Sequence, residues 1–202
     1  MLDETHIQNM GMMERIVDVS KPIQHVMAFI DGGYLRALCK QLYGTDNLNF
    51  ERLGLKIREA FQICLVGQFQ LDLIRIYYYD AIVESDHEKY EAQKEYFDSI
   101  RAPLFSVQLG NLIPSPKEGL RQKGVDVLMA IDALTKAYRN QYDVGMFLLD
   151  DRGFIPLINA VNDAGKKTIG IYYPPDSAKE LLRSFDMSIG LGNSEIKDLS
   201  KK

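Results

Sequence analysis

Three aspartates stand where an apolar run gives way to a loop or a helix, in parts of the sequence far from one another. Asp31 ends the run Val26-Met27-Ala28-Phe29-Ile30 and precedes Gly32-Gly33-Tyr34. Asp126 follows Lys123-Gly124-Val125 at the start of a long apolar-faced helix. Asp151, with Asp150 before it and Arg152 after it, follows Met146-Phe147-Leu148-Leu149. Clustered carboxylates offer oxygen ligands only, the donor set that Mg²⁺ or Mn²⁺ prefers. An ion held this way can clamp and polarise a phosphodiester and lower the pKa of a bound water, so that no side-chain nucleophile is needed. His6, His25 and His87 lie in an N-terminal arm, before the first strand and near a polar helix start. Histidines in such places are more often surface or structural residues than catalytic ones.

Each aspartate also has a plainer reading. An Asp at a helix start is commonly an N-cap or a partner of the helix dipole, which would suffice for Asp126 alone. An Asp after a strand is commonly a turn residue, which would suffice for Asp31 or Asp80 alone. The order of elements is what favours a common site. An apolar strand to Ile30 precedes helices over about 34–42 and 50–68. A strand at 71–79 turns at Asp80, and a polar helix covers about 86–100. A strand follows at 104–109, a Pro- and Gly-containing loop at 111–122, and a helix at 125–141. Strands at 144–149 and 167–173 flank a helix at 154–164, and a short helix at 177–185 leads to an edge strand at 187–189. Strands alternating with helices predict an α/β fold with a mainly parallel sheet covered on both faces. Such a sheet gathers its strand ends along one edge, where open α/β folds bind ligands.

The chain has 202 residues, 46% of them hydrophobic, enough for one domain with a substantial core. We read 1–21 as an N-terminal arm that could bind a protein partner, 22–190 as the domain, and 191–202 as a polar tail. A net charge of −4 argues against holding nucleic acid by broad phosphate neutralisation. Cys39 and Cys64 lack metal-site spacing and read as buried free thiols. No apolar run approaches the ~20 residues of a membrane span, and the N-terminus lacks signal-peptide order, so a cytoplasmic protein is expected. Homo-oligomerisation would leave no readable mark and stays open.

Asp31-Gly32-Gly33-Tyr34-Leu35, then Lys123-Gly124-Val125-Asp126-Val127 with Asp132 following, then Asp151-Arg152-Gly153-Phe154-Ile155-Pro156-Leu157 and Gly165-Lys166 resemble, in order and spacing, the NYN-domain, LabA-like branch of the PIN-like nuclease superfamily. The resemblance spans about 26–189. It implies a Rossmann-like α/β/α sandwich, an acidic pocket for Mg²⁺ or Mn²⁺ built on Asp31, Asp126 and Asp151, and hydrolysis of RNA. Gly153 stands where the family motif has a second acidic residue, so a domain that binds RNA or a protein without turnover is the alternative. A receiver-like or phosphoryl-transfer domain would also place carboxylates at sheet ends, but the first strand lacks the Asp-x-Asp that such a phosphatase shows.

Around this pocket, Asp132 reads evenly as ligand or support, since it lies off the Asp126 face. Asp150 could replace the missing carboxylate only if the backbone turns there. Arg152 could supply positive charge to carboxylates or to a phosphate. Tyr34 could stack on a base. Lys123 is the leading candidate to guide an RNA backbone, with Arg36 and Arg121 behind it. Lys40, Lys117 and Arg139 read as solvated.

Overall fold

The computed structural model describes residues 21–64, 70–83, 87–100, 104–115, 119–175 and 178–200. In chain order its elements are β1 (Ile23–Asp31), α1 (Gly32–Tyr43), α2 (Phe50–Cys64), β2 (Gln70–Val83), α3 (His87–Asp98), β3 (Phe105–Ser115), β4 (Gly119–Lys123) and α4 (Val125–Tyr138). They continue as β5 (Val144–Leu148), a 3-10 turn at Arg152–Phe154, α5 (Ile155–Asp163), β6 (Lys167–Tyr172), α6 (Lys179–Leu182), β7 (Met187–Gly190) and α7 (Asn193–Leu199).

Val26 to Ile30 are buried without alternation, the pattern of a strand covered on both faces. Accordingly β1 lies at the middle of a seven-stranded sheet of order β4-β3-β2-β1-β5-β6-β7. All neighbours are parallel except β3 and β4, which form an antiparallel pair from Asn111↔Lys123 to Ser115↔Gly119. The two faces of the sheet carry separate cores. Val26, Ala28, Ile30, Ile76 and Tyr78 pack under α1, α2 and α7. Met27, Phe29, Tyr79 and Ala81 pack under α4 and α5. The result is the α/β/α sandwich with a mainly parallel sheet that the alternating elements predict.

Three details differ from the sequence reading. Asp80 is not a turn: β2 runs on to Val83, and Asp80 is 1% exposed within it. The segment 111–122, read as a loop, is mostly the β3–β4 pair. The segment read as a polar tail contains α7, whose Ile196 and Leu199 are buried against the α1–α2 side. Two apolar residues among polar ones suffice there because only one narrow stripe of a short helix meets the core. The arm at 1–20 lies outside the described residues.

Candidate active site

The chain order reverses at β1. The strands β2 and β3 extend the sheet on one side of it and β5 to β7 on the other, and the helices that follow β1 and β5 cover opposite faces. A crevice opens at such a switch point, outside the carboxyl ends of the strands. Asp31 is the last residue of β1 and the N-cap of α1, with its Oδ1 accepting the Tyr34 N–H at 2.9 Å. The two glycines after it lie in close contact with other elements. A Cβ on Gly32 would lie 2.2 Å from Cζ of the buried Tyr78, and one on Gly33 would lie 2.1 Å from Nε2 of Gln122. At Gly32 the strand turns into the helix directly against a buried ring, whereas at Gly33 it passes under the movable end of a glutamine on β4.

Asp126 reaches the same edge by a different route. Gly124 takes a left-handed conformation, with φ of 86°, and starts α4 directly from β4. Gly110 of β3 lets the first turn of α4 settle on the sheet, because a Cβ there would lie 2.8 Å from Cγ2 of Val125. Asp126 is exposed in that first turn. Its charge acts on Asp31, whose carboxyl is pushed up to about 6. Burial is the main cause, the Tyr34 N–H opposes it, and the Asp126 and Asp80 carboxylates add to it. Residues 31 and 126 therefore stand near enough at this edge for the charge of Asp126 to disfavour ionisation of Asp31.

Asp80 is the feature that sequence reasoning missed. Its Oδ2 accepts the Tyr78 hydroxyl at 2.9 Å and its Oδ1 accepts the Ala81 N–H at 2.8 Å. Arg36 Nε lies 3.5 Å from Oδ2. Burial raises the Asp80 pKa, against the opposing pull of Arg36 and these two hydrogen bonds. A tyrosine-rich apolar strand running into an Asp with no Gly or Pro nearby was the available signal that the strand continues. Gln122, seated over Gly33, left no signal at all.

The other residues singled out from the sequence lie as follows. Asp151 is exposed after β5 and caps the 3-10 turn, with its Oδ1 accepting the Gly153 N–H at 2.7 Å. Asp150 Oδ1 accepts the Ala178 N–H at 3.4 Å, toward the loop after β6. Arg152 pairs with Glu180 at 3.3 Å on the exposed surface rather than with the Asp31–Asp126 pair. Asp132 accepts the Tyr79 hydroxyl at 3.0 Å and pairs with Lys136 at 2.9 Å, away from Asp126. The ring of Tyr34 packs against the α1-side core. Arg36 is turned inward to Asp80, while Lys123 is exposed at the end of β4, three residues before Asp126. The side chain of Arg121 lies outside the described ones. His25 pairs with Asp143 at the opposite edge of the sheet. Cys39 is buried, and the side chain of Cys64 lies outside the described ones.

The model of the NYN domain matches residues 25–192, from within β1 to beyond β7, and so includes both acidic helix starts. The chain belongs to the NYN-domain family. NYN domains have the PIN-like nuclease fold and are generally nucleases or hydrolases. A crystal structure of a Vibrio parahaemolyticus protein of unknown function is similar in fold, with a TM-score of 0.59 and 16% identity over 84% of this chain and 94% of that one. No curated protein matches the chain. Among the described residues, no helix is long and apolar enough to cross a membrane.

The divalent ion implied by the family can be tested against the donors of this NYN domain. Among the described residues, no three Asp, Glu, His or Cys side chains form a closed ligand group. Asp31 and Asp126 nonetheless fit a hard cation. They are oxygen donors from two sides of one edge, and the Asp31 carboxyl, raised chiefly by burial, also feels the Asp126 charge. Mg²⁺ is often bound by one or two carboxylates and keeps several waters.

Proposed function

We propose that this NYN domain is a divalent-metal-dependent ribonuclease that hydrolyses RNA phosphodiester bonds, with Asp31 and Asp126 as the central metal ligands and Asp151 as a third. The observation that carries the reading is the meeting of Asp31 and Asp126 at the switch point of the sheet. Asp31 is part-buried, its pKa is raised chiefly by burial and further by the Asp126 charge, and the two come from strands and helices far apart in the chain. When bound, Mg²⁺ or Mn²⁺ would polarise the phosphodiester and acidify a water. The protein contributes the rest. The N-cap bond from Tyr34 fixes the Asp31 carboxylate, Gly110 and Gly124 fix the start of α4, and Lys123 offers a cation to a phosphate at the same edge. Membership of the LabA-like branch belongs to this proposal and rests on the Asp31-Gly32-Gly33-Tyr34 order.

A direct test is cleavage of labelled mixed-sequence RNA across Mg²⁺ and Mn²⁺ concentrations by wild type, Asp31→Asn and Asp126→Asn. Asparagine caps a helix about as well as aspartate, so Asp31→Asn keeps the fold while removing the charge. Altering an outer-shell partner of a metal costs ~10–100-fold. Loss of either ligand should exceed that range, and cleavage that persists in both variants would sink the reading.

One observation favours a second reading, a domain that binds RNA or a protein partner without turnover. Asp151 is committed to its own turn, and Gly153 occupies the position where the family motif is acidic. RNA retained by wild type with no metal-dependent cleavage would select this reading.

A further inference from the structure

On the α1 side of the sheet, a cavity of about 270 Å³ lies between α1, α3 and the connection from α1 to α2. It is lined by Arg36, Asp46, Asn47, Ala92, Gln93 and Tyr96. Arg36 is five residues beyond Asp31, about 7.5 Å of helical rise, and it is backed by Asp80, whose charge reaches Asp31. The cavity therefore flanks the acidic edge, yet none of its lining residues is a metal ligand in the proposed reaction.

Its polar groups differ in kind. Arg36 has donors only; its Nε faces the Asp80 carboxylate at 3.5 Å, and its guanidinium lines the cavity. Asp46 has acceptors only and is half exposed, with Lys40 Nζ 4.0 Å from its Oδ2. Gln93 spends its carbonyl oxygen on the Val83 N–H at 2.8 Å, which leaves its amide N–H groups as donors. Tyr96 offers a partly buried ring. We infer that this cavity is a subsite for a guanine base. Guanine presents O6 and N7 as acceptors, the pair that arginine recognises, and an exocyclic amine and ring N–H as donors for a carboxylate. Adenine offers an amine to Arg36 instead and no ring N–H to Asp46. The volume is near the lower end of ligand pockets, ~300 Å³, and suits one base against the Tyr96 ring.

The inference rests on the ribonuclease reading and deepens it into a preference for substrates with guanine near the scissile bond. Its test does not need cleavage. Calorimetric titrations in EDTA would compare GMP, AMP, CMP and UMP, and oligoadenylate with or without a single guanine, on wild type, Asp46→Asn and Ala92→Trp, with melting temperatures checked for each. At least tenfold tighter binding of GMP or of the guanine-containing strand is expected, within the ~1–3 kcal/mol that a good bidentate base contact discriminates. Asp46→Asn should remove that preference, and Ala92→Trp should abolish binding. Preference for the strand alone assigns a base presented by RNA, and preference for GMP as well assigns a free nucleotide too. Equal or undetectable binding of every probe, or a preference that survives Asp46→Asn, overturns the subsite. Guanine preference in a protein that cuts no RNA would remove the ribonuclease reading and leave the subsite standing.

Discussion

Asp31 carries opposing demands. Its carboxyl is held at about 6, above the ordinary 3.8, chiefly by burial and further by Asp126 and Asp80. The folded protein thus binds this proton more tightly than the unfolded chain does. The associated stabilisation is complete below pH 3.8 and is lost as the pH rises through 6, at most about 3 kcal/mol at 1.36 kcal/mol per pH unit. In EDTA, Asp31→Asn should therefore melt above wild type at pH 7.5 and close to it at pH 4. A difference independent of pH would show that the carboxylate is not under this strain. Millimolar Mn²⁺ should raise the melting temperature of wild type and leave that of Asp31→Asn unchanged, because only a ligand that binds the native state stabilises it. Asp132 shows how phase decides a residue's role. Six positions past Asp126, it is about 240° round the helix, and the structure turns it to Tyr79 and Lys136. Neighbours in sequence say little about Arg152, since nothing local marks Glu180 as its partner.

At the scale of elements, the strand-to-helix junctions were legible because glycine and aspartate are distinctive there, and the sequence read the pairing of strands with helices correctly. The end of β2 was misread because Asp is usually a turn former, whereas here Tyr78, the Ala81 N–H and Arg36 satisfy a carboxylate inside the sheet. The junction after β1 yields a sharp prediction. Gly32→Ala places a methyl against a ring that is fully buried and held by its hydroxyl to Asp80. Overpacking of this kind costs about 1–3 kcal/mol. A urea midpoint lowered accordingly would confirm the contact, and an unchanged midpoint would show that Tyr78 can yield. Gly33→Ala meets the end of a glutamine instead, which can swing aside, so its smaller effect on stability should come with a displaced Gln122.

For the whole molecule, sheet, layers and family were legible, and α7 was not, since seven residues with two apolar positions give almost no periodic signal. Its contribution is measurable. Ending the chain after Gly192 exposes the sites of Ile196 and Leu199, each worth roughly 1.5–3 kcal/mol when fully buried. A loss of about 3–6 kcal/mol in denaturant unfolding is expected, and a loss under 1 kcal/mol would mean that α7 rests on the core without supporting it. The central position of β1 also has a consequence for synthesis. The strand is translated more than a hundred residues before its neighbour β5, as the bond from His25 to Asp143 across 118 positions records. Until then the N–H and C=O groups on one edge of this apolar strand stand unpaired, and a chain dominated by such distant pairings folds slowly and is prone to aggregate on the way. The emerging polypeptide should therefore depend on chaperones until Leu148 has left the ribosome, and stalling translation just before Val144 should leave β1 accessible to protease, whereas stalling well after Tyr172 should not.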